Sequence, residues 1–238
     1  RPMNPRTDIA VIGGGPAGLR AAEVAAQAGA RVTLFDGKPS VGRKFLVAGK
    51  GGLNLTHGED FERFASRYSG REQTWRALLA DFDSKQLRAW AAELGVETFQ
   101  ATSGRVYPKA LKAAPLLRRW IARMKGLGAR FEMNHRWTGI TPGRPHRLEF
   151  ANGATSEADA VIFALGGGSW PQTGSDGAWT GLFEKLGIPC HPLAPANCGW
   201  EHAWPPEVLA AAEGKPLKNI AVSAGDHTAT GELMVTRY

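Results

Sequence analysis

Runs of apolar residues alternate with helical patterns along the first part of the chain. Residues 8–12 (DIAVI) and 31–35 (RVTLF) are largely apolar, as strands buried on both faces of a parallel sheet require. Between them, an alanine-rich stretch through Ala28 repeats its apolar positions with helical spacing. It ends at Gly29, a residue type that terminates helices. This order predicts one βαβ unit with a right-handed crossover.

The rest of the chain contains shorter patterns. Helical spacing predicts helices at residues 61–68, 72–80, 84–94 and 176–185. Residues 158–165 (ADAVIFAL) are typical of another buried strand, and residues 147–150 followed by Asn152 and Gly153 predict a hairpin. Because prolines and tryptophans dominate after Ile188, we expect a domain boundary there.

A glycine loop with GxGxxG spacing joins the first strand to the first helix. Gly13 permits the tight turn, Gly15 lets the main chain approach a diphosphate, and Gly18 lets helix and strand pack closely. Pro16 and Ala17 begin the helix, where the missing proline N–H is not needed. Since free N–H groups and a positive dipole at this helix end favour anions, the loop is predicted to hold the phosphates of a dinucleotide.

An acid follows the second predicted strand, where the ribose of a dinucleotide would lie. The carboxylate of Asp36 would accept hydrogen bonds from the ribose diol and would repel a 2′-phosphate. Gly37 and Lys38 continue the same turn and are included in the predicted cofactor site. With strand, loop, helix and acid in register, a dinucleotide site is favoured over a merely structural turn.

A second glycine-rich segment favours FAD over NAD. Residues 42–56 combine glycines with amides and with the cations Arg43 and Lys44, which suits a long cofactor extended across the domain. A cation or N–H dipole beside the flavin would stabilise its reduced anion. The alternatives are a glycine-rich surface loop and an NAD enzyme that uses the same fingerprint.

Composition narrows the partners of this 238-residue chain, whose net charge is +7. One dense group of cations is interpreted as a solvated helix face, because no nucleic-acid motif accompanies it: Arg118, Arg119, Arg123, Lys125 and Arg130. No apolar run is long enough to span a bilayer, and no signal-peptide pattern is present, which predicts a cytoplasmic protein without a membrane partner. The spacing of six histidines and of Cys190 and Cys198 predicts no metal site.

Several motifs occur together in an order that resembles a known family. They are GRK at residues 42–44, AGKGGLNLT at 48–56, GRVYP at 104–108, ALGGGSWPQTGSDG at 164–177 and GELMVTRY at 231–238. From about residue 7 to its end, the chain resembles the HI0933-like family of bacterial NAD(P)/FAD-dependent oxidoreductases. The resemblance implies an α/β fold, with a Rossmann-like FAD-binding domain of the two-dinucleotide-binding flavoprotein type. It places this domain in residues 1–188 and the beginning of a smaller, inserted β-rich substrate-side domain in residues 189–238.

The resemblance also implies site residues. The family's flavin-side loop matches Lys44, Gly49, Gly51 and Asn54, and its second glycine segment matches Gly166, Gly167, Thr173 and Gly174. The sequence departs from the family pattern at two places, because an arginine–cysteine pair is Gly52-Leu53 here and a threonine is Leu165. Chains of the family are also longer, so we expect this chain to be a fragment.

The predicted activity is that of an FAD-dependent oxidoreductase, which transfers a hydride between flavin and an unsaturated or carbonyl-bearing small molecule. Pro171 stands where a second fingerprint needs glycine, so the segment after Leu165 is interpreted as a turn against the cofactor rather than an NAD(P)H site. NAD(P)H remains a candidate electron donor. Tyr107, Lys109 and Trp170 are substrate-side candidates, although structural roles are favoured and no catalytic residue is assigned. A flavoprotein that acts on or binds RNA is the alternative of a different class; nucleic acid is the less favoured partner and no oligomeric state is predicted.

Overall fold

The computed structural model describes residues 7–68, 70–195, 199 and 201–236, which excludes Cys198. The chain divides into two compact units, Arg1–Leu193 and Ala194–Tyr238. The division falls after Leu193, whereas the sequence analysis placed it after Ile188. The prediction that the second unit begins an inserted substrate-side domain stays a prediction.

Helices and short strands alternate through the first unit, and the described residues of the second unit form one helix and two strands. The helices are α1 (Pro16–Gln27), α2 (Arg43–Ala48), α3 (Phe61–Ser66), α4 (Glu72–Asp81), α5 (Ser84–Glu93), α6 (Ala113–Gly126), α7 (Trp179–Lys185) and α8 (Pro206–Ala212). The strands are β1 (Asp8–Ile12), β2 (Arg31–Asp36), β3 (Thr56–His57), β4 (Thr98–Gln100), β5 (Arg105–Pro108), β6 (Arg130–Met133), β7 (Trp137–Thr141), β8 (His146–Phe150), β9 (Thr155–Ala158), β10 (Ala160–Phe163), β11 (Pro216–Ala224) and β12 (His227–Met234). The four predicted helices are thus confirmed as α3, α4, α5 and α7, and α2 and α8 were not foreseen.

A parallel sheet with the strand order β10-β1-β2-β6 forms the centre of the first unit. Strand β1 is buried on both faces: Ile9 and Val11 belong to one hydrophobic cluster, and Ala10 and Ile12 belong to another. Helices α1, α5 and α6 cover the first face, and the antiparallel sheet β7-β8-β9 contributes buried residues to the second. Burial on both faces explains the unbroken apolar run in the sequence.

The predicted basic helix needs one correction, because Arg130 lies in β6, after α6 has ended at Gly126. Of the other cations, Arg119 donates to the carbonyl oxygens at the end of α5, and Arg123 binds Glu23. Arg118, Arg119 and Lys125 on α6 are exposed, which agrees with the predicted solvated face, and Arg119 and Arg123 also join α6 to neighbouring helices.

The predicted hairpin is confirmed as β8 and β9, which pair antiparallel. Gly153 has a φ of 81°, and the Asn152 side chain accepts from the N–H of Ala154, so both turn residues act as their types suggest. In the second unit, β11 and β12 form an antiparallel pair. Within the described residues, no helix is both long and apolar enough to cross a bilayer, and no group of three metal-binding side chains occurs.

Candidate dinucleotide-binding site

A cavity of ≈ 380 Å³ lies at the carboxyl ends of the four parallel strands. Each strand supplies part of its wall: Gly13 follows β1, Asp36 ends β2, His135 follows β6 and Ala164 follows β10. Ligands of open α/β sheets bind at this edge, because the loops that leave the strands diverge there. The cavity is therefore where this fold holds a ligand.

The predicted glycine loop forms the floor of the cavity. Gly13 has a φ of 108°, and a Cβ on Gly13 or on Gly18 would collide with main-chain carbonyl groups. A Cβ on Gly15, in contrast, would meet no described atom within 4 Å. Gly13 and Gly18 are thus required by the fold, whereas Gly15 leaves space for a ligand to approach the main chain.

Helix α1 begins at the cavity, since its N-cap Gly15 lines the wall. Gly15 is the N-cap in an extended conformation, no side chain caps the helix, and Pro16 occupies the first turn together with Ala17. Pro16, Ala17 and Gly18 lie behind the cavity rather than on its wall. Because the first N–H groups of a helix lack partners within it, they are available to an anion such as a diphosphate.

Asp36 is held by the main chain of the loop it faces. Its Oδ2 accepts from the N–H of Gly14 at 2.7 Å, and its Oδ1 accepts from the N–H of Lys38 at 2.8 Å. Burial raises the pKa of this carboxyl above its usual value, and the two N–H donors oppose the shift. A carboxylate offers about four acceptor positions, so those left over can receive the hydroxyls of a ribose.

Helix α2 brings a half-buried cation to the same cavity. Gly42 precedes the helix with a φ of 68°, and its N–H donates to the carbonyl of Gly14 at 2.8 Å. Arg43 and Lys44 consequently line the cavity wall. The buried Nε of Arg43 has no hydrogen-bond acceptor within the described part of the chain. Since buried donors are normally paired, this guanidinium fits a ligand that supplies an oxygen acceptor.

The predicted flavin-side loop lies beyond the far end of α2. A Cβ on Gly49 would stand 2.6 Å from the Cβ of Ala113, so close packing of α2 on α6 already accounts for this glycine. Gly51 has neither a left-handed φ nor a described atom within 4 Å of its Cβ position. Asn54 is exposed. Gly49, Gly51 and Asn54 do not line the cavity, and their contacts with a cofactor stay predictions.

The second glycine segment forms the wall opposite α2. Gly166, with a φ of 75°, lines the cavity, as do Thr173 and Gly174. The carbonyl of Gly166 accepts from the indole N–H of Trp179 at 3.0 Å. Gly167 is outside the lining, and space is open at its Cβ position. Lys44 donates to the hydroxyl of Ser169 at 2.7 Å, which joins this segment to α2 across the site.

Sequence reasoning missed one wall of the cavity, which consists of residues 135–138 with Trp179 and Leu182. The N–H of His135 donates to the carbonyl of Asp36 at 2.8 Å, and Arg136 lies 3.8 Å from the carboxylate of Asp176. The available signal was the polar stretch at residues 134–136 that follows β6, a strand in which charged and apolar residues alternate. These polar residues point to the site only once β6 is known to pair with β2 in parallel, because this pairing puts the carboxyl end of β6 beside Asp36.

Comparison with known proteins identifies sequence relatives of about twice the length. The family model for the HI0933-like protein Rossmann domain matches residues 7–231. The chain is 29% identical over 235 residues to a 3-dehydro-bile acid delta(4,6)-reductase of Clostridium scindens, covering 97% of this chain and 56% of that protein. It is 24% identical over 183 residues to a ribosomal RNA dihydrouridine synthase of Escherichia coli, covering 77% of this chain and 45% of that protein. The chain thus spans about half the length of these curated relatives.

A solved structure shows the same architecture at low sequence identity. The open conformation of a flavocytochrome c3 fumarate reductase superposes with a TM-score of 0.53 and 22% identity, covering 68% of this chain and 34% of that one. At this identity the likeness concerns the fold alone. Together with the family match, it confirms the predicted fold class, a Rossmann-like α/β domain of the flavoprotein type with additional antiparallel sheets.

Proposed function

Because this chain belongs to the HI0933-like family, we propose that it is the FAD-binding part of an FAD-dependent oxidoreductase. The proposed reaction transfers a hydride between flavin and an unsaturated or carbonyl-bearing small molecule. One observation carries the proposal: the glycine loop, Asp36 and Arg43, whose buried Nε has no described acceptor, converge on one cavity at the carboxyl edge of the sheet. Similarity to a reductase that acts on a bile-acid derivative supports the class of reaction.

Different residues of the chain would bind different groups of the cofactor. The N–H groups around Gly15 and the amino end of α1 would receive the diphosphate, and Arg43 would neutralise part of its charge. Asp36 would accept hydrogen bonds from the adenosine ribose. The aromatic wall of Trp137 and Trp179 would exclude water from the adenine side. The bound FAD would supply the redox chemistry, so the protein needs few reacting side chains.

Retention of FAD tests the proposal directly. The purified chain is incubated with FAD and desalted, and its visible absorbance is recorded before the cofactor is released by heat and identified. We expect a yellow protein that releases FAD and binds neither NAD nor NADP with comparable affinity. A colourless chain that remains folded by circular dichroism would contradict the proposal. Flavin bleaching by NADH and by NADPH then tests whether a pyridine nucleotide is the electron donor.

A matched pair of variants locates the site. Arg43→Met removes the half-buried guanidinium at the cavity, whereas Arg118→Met removes an exposed one from α6. We expect the first variant to lose FAD during desalting and the second to keep it. Equal retention by the two variants would show that Arg43 does not contact the cofactor.

A second candidate function is that of an FAD-dependent flavoprotein that acts on or binds RNA. Similarity to a ribosomal RNA dihydrouridine synthase favours it, as does the net charge of +7. Phosphate contacts would give an RNA affinity that falls steeply with salt concentration. Fluorescence anisotropy of labelled ribosomal RNA fragments across a salt series measures this slope, and undetectable binding at low salt excludes the RNA candidate.

A further inference from the structure

Buried polar atoms that lack partners occur at the cofactor cavity. Among the described residues, three buried side-chain nitrogens have no hydrogen-bond partner: Nε of Arg43, Nδ1 of His57 and Nε1 of Trp137. Of these, Nδ1 of His57 lies 3.5 Å from a carboxylate oxygen of Glu59. The other two belong to residues that line the cavity at the carboxyl edge of the sheet. Because buried donors are normally paired, both nitrogens fit a ligand that supplies acceptors.

The indole of Trp137 differs from two other buried indoles in its surroundings. Trp90 and Trp120 are buried as well, and both donate their indole N–H to the carboxylate of Glu23. Trp179, which lines the same cavity as Trp137, donates to a main-chain carbonyl. Trp137 is 5% exposed, and its indole N–H has no acceptor within the described ranges. Since a buried tryptophan normally finds a partner for this group, a bound ligand is expected to supply the acceptor.

Trp137 stands on the ribose side of the cavity. It begins β7, two residues after His135, whose N–H donates to the carbonyl of Asp36 at 2.8 Å. The intervening Arg136 has its Cβ 3.1 Å from the position that a Cβ on Gly37 would take, so this segment packs against the turn after β2. Since Asp36 is proposed to hold the adenosine ribose, the base that this ribose carries would lie along the same segment.

The wall around Trp137 is aromatic and suits a flat ring that carries acceptor nitrogens. The indole packs against Phe163, with ring centroids 4.7 Å apart, and three further apolar side chains line the cavity: Phe35, Trp179 and Leu182. A hydrocarbon ring in this place would leave the buried N–H unpaired, which is costly. Adenine, in contrast, presents the ring nitrogens N1, N3 and N7 as acceptors in the plane of the base.

We propose that Trp137 recognises adenine by donating its indole N–H to a ring nitrogen of the base. The inference rests on the proposed function, which places the adenosine end of FAD beside Asp36. It adds a residue that recognises the base, whereas Asp36, Arg43 and the glycine loop are assigned only to the ribose and the diphosphate. Because FAD and ADP share adenosine diphosphate, the contact can be measured with ADP alone.

The test compares ADP with three analogues in which N1, N3 or N7 of adenine is replaced by C–H. Isothermal titration calorimetry gives their dissociation constants for the wild-type chain and for Trp137→Phe, which retains an aromatic ring but has no N–H donor. For the wild-type chain we expect one analogue to bind about tenfold more weakly than ADP, because the indole loses its acceptor. In Trp137→Phe this difference between the analogue and ADP should disappear.

A control variant and a second measurement accompany the titrations. Trp90→Phe makes the same exchange at a buried indole whose N–H is bound to Glu23, so it should discriminate among the analogues as the wild-type chain does. The second measurement needs no variant. In hydrogen–nitrogen NMR spectra of the wild-type chain, one indole N–H resonance should shift on addition of ADP and should shift less with the analogue that binds weakly.

The outcomes separate the inference from the proposed function. Equal affinity of the wild-type chain for ADP and all three analogues overturns the inference, as does an analogue that is equally weakened in Trp137→Phe. A chain that binds no ADP, or whose indole resonances do not respond to ADP, overturns it as well. If FAD is retained while the analogues bind equally, only the inference fails. Binding of ADP with the expected discrimination but without retention of FAD upholds the role of Trp137 and contradicts the proposed function.

Discussion

Two acids on neighbouring elements of the Rossmann unit, the buried Glu23 and the half-buried Asp36, have opposite surroundings. Glu23 on α1 is fully buried, and both its carboxylate oxygens accept from side chains. The donors are Arg20, Trp90, Trp120 and Arg123. Asp36 at the end of β2 accepts only two main-chain N–H groups among the bonds described, and it lines the cavity. Glu23 is saturated by the protein, whereas Asp36 keeps acceptor positions toward the site.

The comparison shows that burial alone does not identify a ligand-binding acid. Glu23 joins α1 to α5 and α6, since Trp90 belongs to α5 and Trp120 and Arg123 belong to α6. A buried carboxylate without such partners would carry a large desolvation penalty, so its four donors are part of its structural role. A carboxylate that faces a cavity with part of its bonding capacity unused is suited to a ligand.

The largest effect is expected from removing the saturated acid. Glu23→Ala should lower the free energy of unfolding by about 3–5 kcal/mol, because two cations and two indole N–H groups lose their acceptor. Urea denaturation followed by fluorescence measures the change. Glu62→Ala is the control, because it breaks an exposed ion pair with Arg76 and should cost less than about 1 kcal/mol. Similar losses of unfolding free energy in the two variants would show that Glu23 contributes no more to stability than an exposed ion pair does.

Replacing Asp36, whose carboxylate keeps unused acceptor positions, should mainly weaken ligand binding. Asp36→Ala is expected to weaken FAD binding about 10–100-fold, since hydrogen bonds from the ribose to a charged acceptor are lost. Its effect on the free energy of unfolding should be smaller than that of Glu23→Ala, because only two main-chain donors lose a partner. Fluorescence titration with FAD measures the affinity. If FAD affinity is unchanged, Asp36 does not contact the cofactor.

The two glycines of the flavin-side loop extend the comparison to backbone positions. Gly49→Ala should lower the free energy of unfolding by about 1–3 kcal/mol, because its Cβ would press on Ala113. Gly51→Ala should leave stability within about 0.5 kcal/mol and weaken FAD binding, because its Cβ would enter open space. Gly126→Ala, another position with open space, is the control and should leave FAD affinity unchanged. Unaltered FAD affinity in Gly51→Ala would place the cofactor elsewhere.

The smallest effect is expected from pH. Burial raises the pKa of Asp36 above its ordinary value of 3.8, and only the ionised form accepts both ribose hydroxyls. FAD affinity should therefore fall several-fold as pH drops from about 7 toward this raised pKa. In the FAD-free chain the sign is reversed: the contribution of Asp36 to stability is present below 3.8 and is lost as pH rises through the raised pKa. FAD titrations at several pH values test this, and Asp36→Asn should abolish the dependence.

The Rossmann unit and part of its site could be predicted from the sequence because their determinants are local. The spacing of Gly13, Gly15 and Gly18 and the position of Asp36 after an apolar run follow from one strand, one turn and one helix. The roles of Gly13 and Gly18 in the fold were anticipated correctly. The close packing at Gly49 was not, because its neighbour Ala113 is remote in sequence and belongs to another helix.

What the sequence by itself determined is the βαβ unit, its glycine loop and the acid that follows it. Tertiary structure alone decided that β6 pairs with β2 and brings His135 to the cavity, that the Nε of Arg43 is buried without a described acceptor, and that Glu23 is enclosed by two tryptophans. The physical reason is the range of the interactions. Turns, caps and periodic burial depend on neighbouring residues, whereas strand order and the solvation of a charge depend on which distant segments pack together.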